Sequence, residues 1–144
     1  MFDLRANPVV TNKAGEKKRR NDVVMNRKKQ LLSEKGFQRW SDWSDSDPAK
    51  PLPYDLVQNV CTHWLTARAE RAGFALVNED KNRTTIRVDG YSQKHAFKKD
   101  IRFSTVDFSG ILEVTDTKLF RQTLFSGIGP AKAFGCGLML VRPA

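Results

Sequence analysis

Cysteine, histidine and long apolar runs are all scarce in this chain. Its two cysteines, Cys61 and Cys136, are far apart and in no CxxC arrangement. They make no disulfide framework, so a reducing cytoplasm is the simpler compartment. The two histidines are His63 and His95. Cys61 and His63 have one residue between them and no second pair at zinc spacing, which makes them expected core residues rather than metal ligands. Asp42, Asp45 and Asp47 lack the glycine and terminal glutamate of a calcium loop, so a solvated acidic loop is expected there. No apolar run approaches the ~20 residues needed to cross a bilayer. The start, Met1-Phe2-Asp3-Leu4-Arg5, has no apolar signal core. The expectation is therefore no metal, no cofactor, no membrane partner and no export.

What the chain has in excess is positive charge. Its 144 residues carry a formal charge of +9, which raises the prior for a polyanionic partner over a merely basic surface. Eight basic residues fall between Lys13 and Lys29 against Glu16 and Asp22. Seven more fall between Lys81 and Arg102 against Asp89 and Asp100. Lys17-Lys18-Arg19-Arg20 is too dense for ordinary surface pairing. Such side chains neutralise phosphates, and arginine also pairs in bidentate fashion with guanine edges. The alternative is a charged loop without a partner.

The chain is long enough for one domain with a real core. Leu4 to Thr11 reads as a strand interrupted by Asn7-Pro8, and the proline places it at a sheet edge or at a bulge. Val23 to Lys35 suits a short helix. Tyr54 to Ala72 is the best helix, with Val57, Val60, Cys61, Trp64 and Leu65 on one buried face. Arg68, Glu70 and Arg71 can face water, and Gly73 suits the position past the helix end. Ser41 to Pro48 reads as a loop that Pro51 and Pro53 extend. Phe74–Asn78 and Thr84–Val88 are short strand candidates around a polar turn. Val106 to Val114 alternates like a half-buried strand, and the opposite parity of Ile101 and Phe103 predicts a bulge near Ser104. Asp116 can cap a helix that Gly127 ends, and Cys136 to Val141 is a final strand. The fold class expected is α+β: a ferredoxin-like (RRM-like) βαββαβ domain with a four-stranded antiparallel sheet and both helices on one face. The other face stays open, as in several RNA-binding modules.

The stretch from Gly127 to Met139, GIGPAKAFGCGLM, holds four glycines and Lys132. Its backbone can approach another chain closely and offer amides to an anion, or it is a plain structural turn. The phosphate-loop pattern GxxxxGK[ST] is missing, and a strand rather than a helix follows. GIGPAKAFGCGLMLV resembles the carboxy-terminal glycine-rich loop of the RAMP proteins, most closely that of the CasE family of CRISPR repeat-RNA processing endoribonucleases in type I-E Cascade. Leu4-Arg5-Ala6-Asn7-Pro8 matches that family's RLRANP segment. Phe103 to Leu112 matches its strand before the last helix. The stretch from about Arg39 to Pro53 departs from the pattern and looks like an insertion in a single domain spanning residues 1–144.

The resemblance implies a carboxy-terminal half that binds a CRISPR repeat-RNA hairpin, with other Cascade subunits as further partners. The family cuts RNA without metal, using a general base and acid, but its catalytic histidine and tyrosine lie in a first domain with no counterpart here. No catalytic residue is therefore expected, and neither His63 nor His95 has a family motif behind it. The RNA-binding residues expected are Lys17, Lys18, Arg19 and Arg20; Lys94, Lys98, Lys99 and Arg102, on the segment resembling the family's basic hairpin; and Gly127, Gly129, Lys132, Gly135 and Gly137 of the loop. Two alternatives stand beside this reading: a truncated homologue that competes with Cascade assembly, and an endoribonuclease completed by a partner chain. A module that docks on Cascade proteins without RNA is a weaker third.

Overall fold

The computed structural model describes residues 1–14, 17–80, 85–95 and 101–144. Strand β1 (Phe2–Ala6) buries Phe2, Leu4 and Ala6 and turns Asp3 and Arg5 to the opposite face. The single edge strand expected over Leu4–Thr11 divides at Asn7-Pro8. Beyond it, β2 (Val9–Ala14) pairs, among the described residues, with β3 (Lys17–Asp22) alone, as a separate antiparallel hairpin. The missing N–H of Pro8 thus falls in a link between sheets, which leaves β1 free to be a central strand.

Helix α1 (Val23–Lys35) has the expected bounds. The Asp22 carboxylate accepts from the Met25 N–H at 2.8 Å, and Gly36 ends the helix at φ 75°. Pro53 does not extend the preceding coil. It opens α2 (Pro53–Ala69) at the position where a missing N–H costs nothing. A short 3-10 turn carries α2 on to Ala72, and Gly73 stops it at φ 80° as expected.

Among the described residues, the two short strand candidates around residues 79–82 share no ladder. Strand β4 (Phe74–Leu76) leads on to β5 (Arg87–His95), which is longer than expected. Then β6 (Arg102–Gly110) and β7 (Leu112–Val114) divide the run expected to be one strand. β4 pairs with β7 and β5 with β6. The bulge expected near Ser104 lies across the ladder instead. Two β5 residues, Gly90 and Tyr91, oppose Val106 alone, and Gly90 takes φ 61°. Helix α3 (Thr117–Ser126) is capped by Asp116, which accepts from the Leu119 N–H at 2.9 Å. The last strand shrinks to β8 (Met139–Val141) because Cys136 to Leu138 belong to the loop.

Among the described residues the main sheet runs β5-β6-β1-β8, antiparallel throughout. With α2 after β1 and α3 after β6, this is the expected ferredoxin-like βαββαβ arrangement. Phe2, Leu4, Val88, Val106 and Phe108 pack on Leu56, Cys61, Trp64 and Leu65 of α2, and Phe120 of α3 joins the same cluster. Cys61 is sealed in it, and burial pushes its thiol up to about 12. His63, also expected in the core, is exposed two positions further along the helix. No helix among the described residues is long and apolar enough to cross a membrane.

Residues 39–53 are more ordered than a solvated acidic loop. Trp43 is buried, stacked on Phe37 at 5.7 Å and met edge-on by Trp40 at 5.6 Å. The Lys50 ammonium lies over the Trp40 ring and donates to the carbonyls of Trp40 and Trp43 and to Asp45. Asp47 accepts from the Ala49 N–H and the Trp43 indole, which hold its carboxyl below the usual range.

Candidate nucleic-acid interface

The β2–β3 hairpin decides what the Lys17–Arg20 run does. Residues directly opposite on paired strands share a face, and successive residues alternate. Arg20 opposes Thr11 and Arg19 opposes Asn12. Asn12 donates to Asn26 of α1 at 2.9 Å, so Arg19 stands on the α1 side of the hairpin. Arg20, with Lys18 in parity, stands on the side of Val9 and Thr11, turned toward the glycine-rich loop. The basic run is therefore split between two faces and does not make one patch.

The loop reaches Arg20 by folding back on itself after α3. The Ile128 N–H donates to the Gly137 carbonyl at 2.9 Å, and the Gly137 N–H donates to the Arg5 carbonyl of β1 at 2.7 Å. Glycine is needed where these segments cross. A Cβ on Gly127 would lie 2.9 Å from the Gly137 carbonyl oxygen, and one on Gly137 would lie 2.9 Å from that of Ile128. Gly129 presses on the Trp64 ring in the same way, whereas Gly135 faces open space. Three of the four loop glycines expected to approach an RNA backbone are thus occupied in internal contact. Ala131 takes a left-handed φ of 62° beside them, and a 3-10 turn over Lys132–Phe134 follows.

Lys132, Arg20 and Arg68 line one groove of about 500 Å³ with Val9, Thr11 and the Gly129–Ala131 backbone. Arg68 was expected to face water. Instead its guanidinium lies 4.1 Å over the Trp64 ring and donates to the carbonyls of Trp64 (3.0 Å) and Val9 (3.2 Å). The Trp64 indole also donates to the Val9 carbonyl, at 2.9 Å. Burial and the neighbouring Arg71 lower the Arg68 pKa, but a guanidinium stays charged at neutral pH. The sequence carried a signal for this, since an arginine one helical turn after a core tryptophan can lie back along its ring.

Arg102 lines a second cavity of about 270 Å³, which shares Val9, Arg20, Pro130 and Ala131 with the groove. Lys94 lies further along the β5–β6 ladder, opposite Phe103, and is exposed. Lys98, Lys99 and the side chain of Lys17 lie outside the described residues. His95 pairs with Arg102 in the ladder and is exposed, while His63 lines a different groove, between α1 and α2. Among the described residues neither histidine lines the Arg20–Lys132 groove, and no cluster of three His, Cys, Asp or Glu could hold a metal.

The open face of the sheet carries charges of both signs. Arg5 makes a bidentate pair with Asp107, at 2.7 and 2.8 Å, and Asp3 and Asp89 stand nearby. The Arg5 hydrogen bond holds the Asp107 carboxyl below the usual range. Asp89 pairs in turn with Arg87, so two of the three carboxylates on this face are each held by a guanidinium. The groove with three cations lies on the side of the hairpin and loop, whereas the charges on the sheet face that RRM-like modules use are largely paired.

Comparison with known proteins bears on this arrangement. The model of a family described as CRISPR associated protein matches residues 1–143. The CRISPR-associated endoribonuclease Cse3 of Thermus thermophilus is 33% identical over 87 residues, which cover 56% of this chain and 41% of that protein. The CRISPR system Cascade subunit CasE of Escherichia coli is 40% identical over 45 residues, 31% of this chain and 23% of that protein. A solved structure of Thermus thermophilus Cse3, bound to an RNA representing a pre-cleavage complex, superposes at 25% identity with a TM-score of 0.64. That match covers 99% of this chain and 52% of the other. The chain thus spans about half the length of the solved relative it matches.

Proposed function

The chain belongs to the CRISPR-associated protein family, and from that premise we propose that it holds the repeat-derived hairpin of CRISPR RNA. The observation that carries the proposal is the convergence of Arg20, Arg68 and Lys132 on one groove beside the glycine-rich loop, with Arg102 in the adjoining cavity. Three positive side chains on three different elements, one of them fixed by an aromatic ring, suit a phosphate backbone of fixed shape. Duplex RNA is recognised largely in that way. The name of one relative and the RNA bound in its structure support the reading. In this role Arg20, Arg68, Lys132 and Arg102 neutralise phosphates, Lys18 and Lys94 add long-range attraction, and Gly127, Gly129 and Gly137 shape the loop. Arg19 faces away from the groove. Cascade subunits are the further partners proposed, since one relative carries a Cascade name.

The test is a gel-shift titration of the chain against a CRISPR repeat hairpin without metal, with a denaturing gel beside it. Binding should weaken as salt rises, and Arg20→Ala with Lys132→Ala should flatten the log–log slope by ~0.7 to 0.9 for each lost contact. An unchanged slope would remove those residues from the interface. A second reading, the RNA-holding half of an endoribonuclease, is favoured by the length of a relative named as one, of which this chain matches 41%. It expects binding without cleavage by this chain and cleavage when the remaining half is supplied.

A further inference from the structure

Among the described residues, β2 and β3 share no ladder with the main sheet, so side chains rather than strand pairing hold Arg20 beside the groove. The hairpin is fastened at one rung of its own ladder, where Val9 opposes Asp22. On the β2 side the Val9 carbonyl accepts from the Trp64 indole at 2.9 Å and from Arg68 at 3.2 Å. On the β3 side the Asp22 carboxylate accepts from the Tyr91 hydroxyl of β5 at 2.9 Å and from the Ser104 hydroxyl of β6, besides capping α1. Tyr91 belongs to the β5 bulge, where Gly90 takes φ 61°, and bulges re-aim side chains in this way. Burial first, and the Asp22 charge second, raise the Tyr91 pKa above its ordinary value, so the phenol remains a donor at neutral pH.

The pleat lets this joint set a spacing between cations. Side chains two apart on a strand share a face. Arg20 lies two residues before Asp22 on β3, and Arg102 lies two before Ser104 on β6. All four line the cavity of about 270 Å³ that adjoins the groove. Joining Asp22 to Ser104 therefore fixes how Arg20 and Arg102 stand relative to each other. Cations held in place avoid an ordering cost when they meet phosphates that are themselves held in place, as along a duplex. A flexible strand can adjust to loose cations and gains little from fixed ones. We propose that Asp22 is a positioning residue for the groove: by binding Tyr91 and Ser104 it fixes Arg20 against Arg102, and so favours an RNA stem over a flexible single strand. The proposal rests on the RNA-holding reading and adds to it the source of selectivity for shape.

The experiment measures Kd across a salt series for the full chain with an RNA stem-loop and with a single strand of the same composition that cannot fold. Asp22 stays in place, because it caps α1; its two hydroxyl partners are removed instead, by Tyr91→Phe and Ser104→Ala, singly and together. The double variant should bind the stem-loop roughly tenfold more weakly and the single strand within about twofold of wild type. Its salt slope should stay at the wild-type value, because both arginines remain. In a chain already carrying Arg20→Ala the same two changes should leave the ratio of the two affinities unmoved. Should thermal melts show the double variant unfolded, Tyr91→Phe alone, which removes a single oxygen, should still lower the ratio by roughly threefold. Equal weakening of both RNAs, or of neither, by folded variants would overturn the positioning role and leave the RNA-holding reading intact. A wild-type chain that binds no stem-loop at low salt would overturn both.

Discussion

Arg68 offers the sharpest test, because it has two roles that separate by substitution. In folding, its guanidinium caps the Trp64 ring at 4.1 Å and donates to two carbonyls, at 3.0 and 3.2 Å. A partly desolvated cation–π contact contributes ~1 kcal/mol, and each hydrogen bond contributes ~0.5 to 1.5 kcal/mol. Against this stands the cost of half-burying a charge, which alanine relieves. The Val9 carbonyl is not orphaned in the variant, since the Trp64 indole still donates to it. Arg68→Ala should therefore cost about 2 kcal/mol, or roughly 6 °C in Tm for a chain of this size. In binding it removes one groove cation and should lower the salt slope by ~0.7 to 0.9. Arg68→Lys keeps the charge but loses the flat face and the fork of donors. It should lose about 1 kcal/mol of stability and keep the slope. Thermal melts and salt-titrated gel shifts on both variants read the two effects independently. An alanine variant that melts with wild type would refute the packing argument. A slope unchanged by alanine would refute the groove.

Three further outcomes follow from the geometry. Asp107 is held below its ordinary pKa by Arg5, so the pair stabilises the fold at neutral pH and loses that contribution as pH falls below about 4. The gap between wild type and Asp107→Asn should be under ~1 kcal/mol, since both groups are half exposed, and should close on acidification; a gap constant with pH would contradict this. Lys50→Met removes the donor to the Trp40 and Trp43 carbonyls, and urea melts followed by tryptophan fluorescence should show a loss of about 2 kcal/mol, an unshifted midpoint making the loop's packing incidental. Gly137→Ala must find room 2.9 Å from the Ile128 carbonyl at φ 92°, while Gly135→Ala meets nothing at φ 80°. The first should cost ~2 to 3 kcal/mol and the second about 1 kcal/mol, so equal melting shifts would argue against the crossing described for the loop.

Element types near in sequence were readable because they depend on local chemistry. Asp22 and Asp116 cap α1 and α3, Gly36 and Gly73 end helical segments, and the apolar spacing of α2 survives intact. The β2–β3 hairpin was missed because Lys17-Lys18-Arg19-Arg20 has no alternation of polarity. Strand β3 puts polar side chains on both faces, so period two leaves no trace in it. The pairing of Phe74 with Val114 was missed for a different reason. A three-residue strand says nothing about a partner forty positions away.

The sequence by itself determined the charge, the helices and their caps, the βαββαβ order, and the glycine-rich stretch with Lys132 inside it. Each of these follows from residue type and short-range spacing. Only the tertiary structure decided which cations act together. Arg20 was separated from Arg19 by strand pleat, and Arg68 was drawn from solvent onto Trp64. The open sheet face turned out to hold its charges in pairs, Arg5 with Asp107 and Arg87 with Asp89, because β1, β5 and β6 bring those residues to one side. Those outcomes depend on the register between distant strands, which many long-range contacts fix together and no short window of sequence contains.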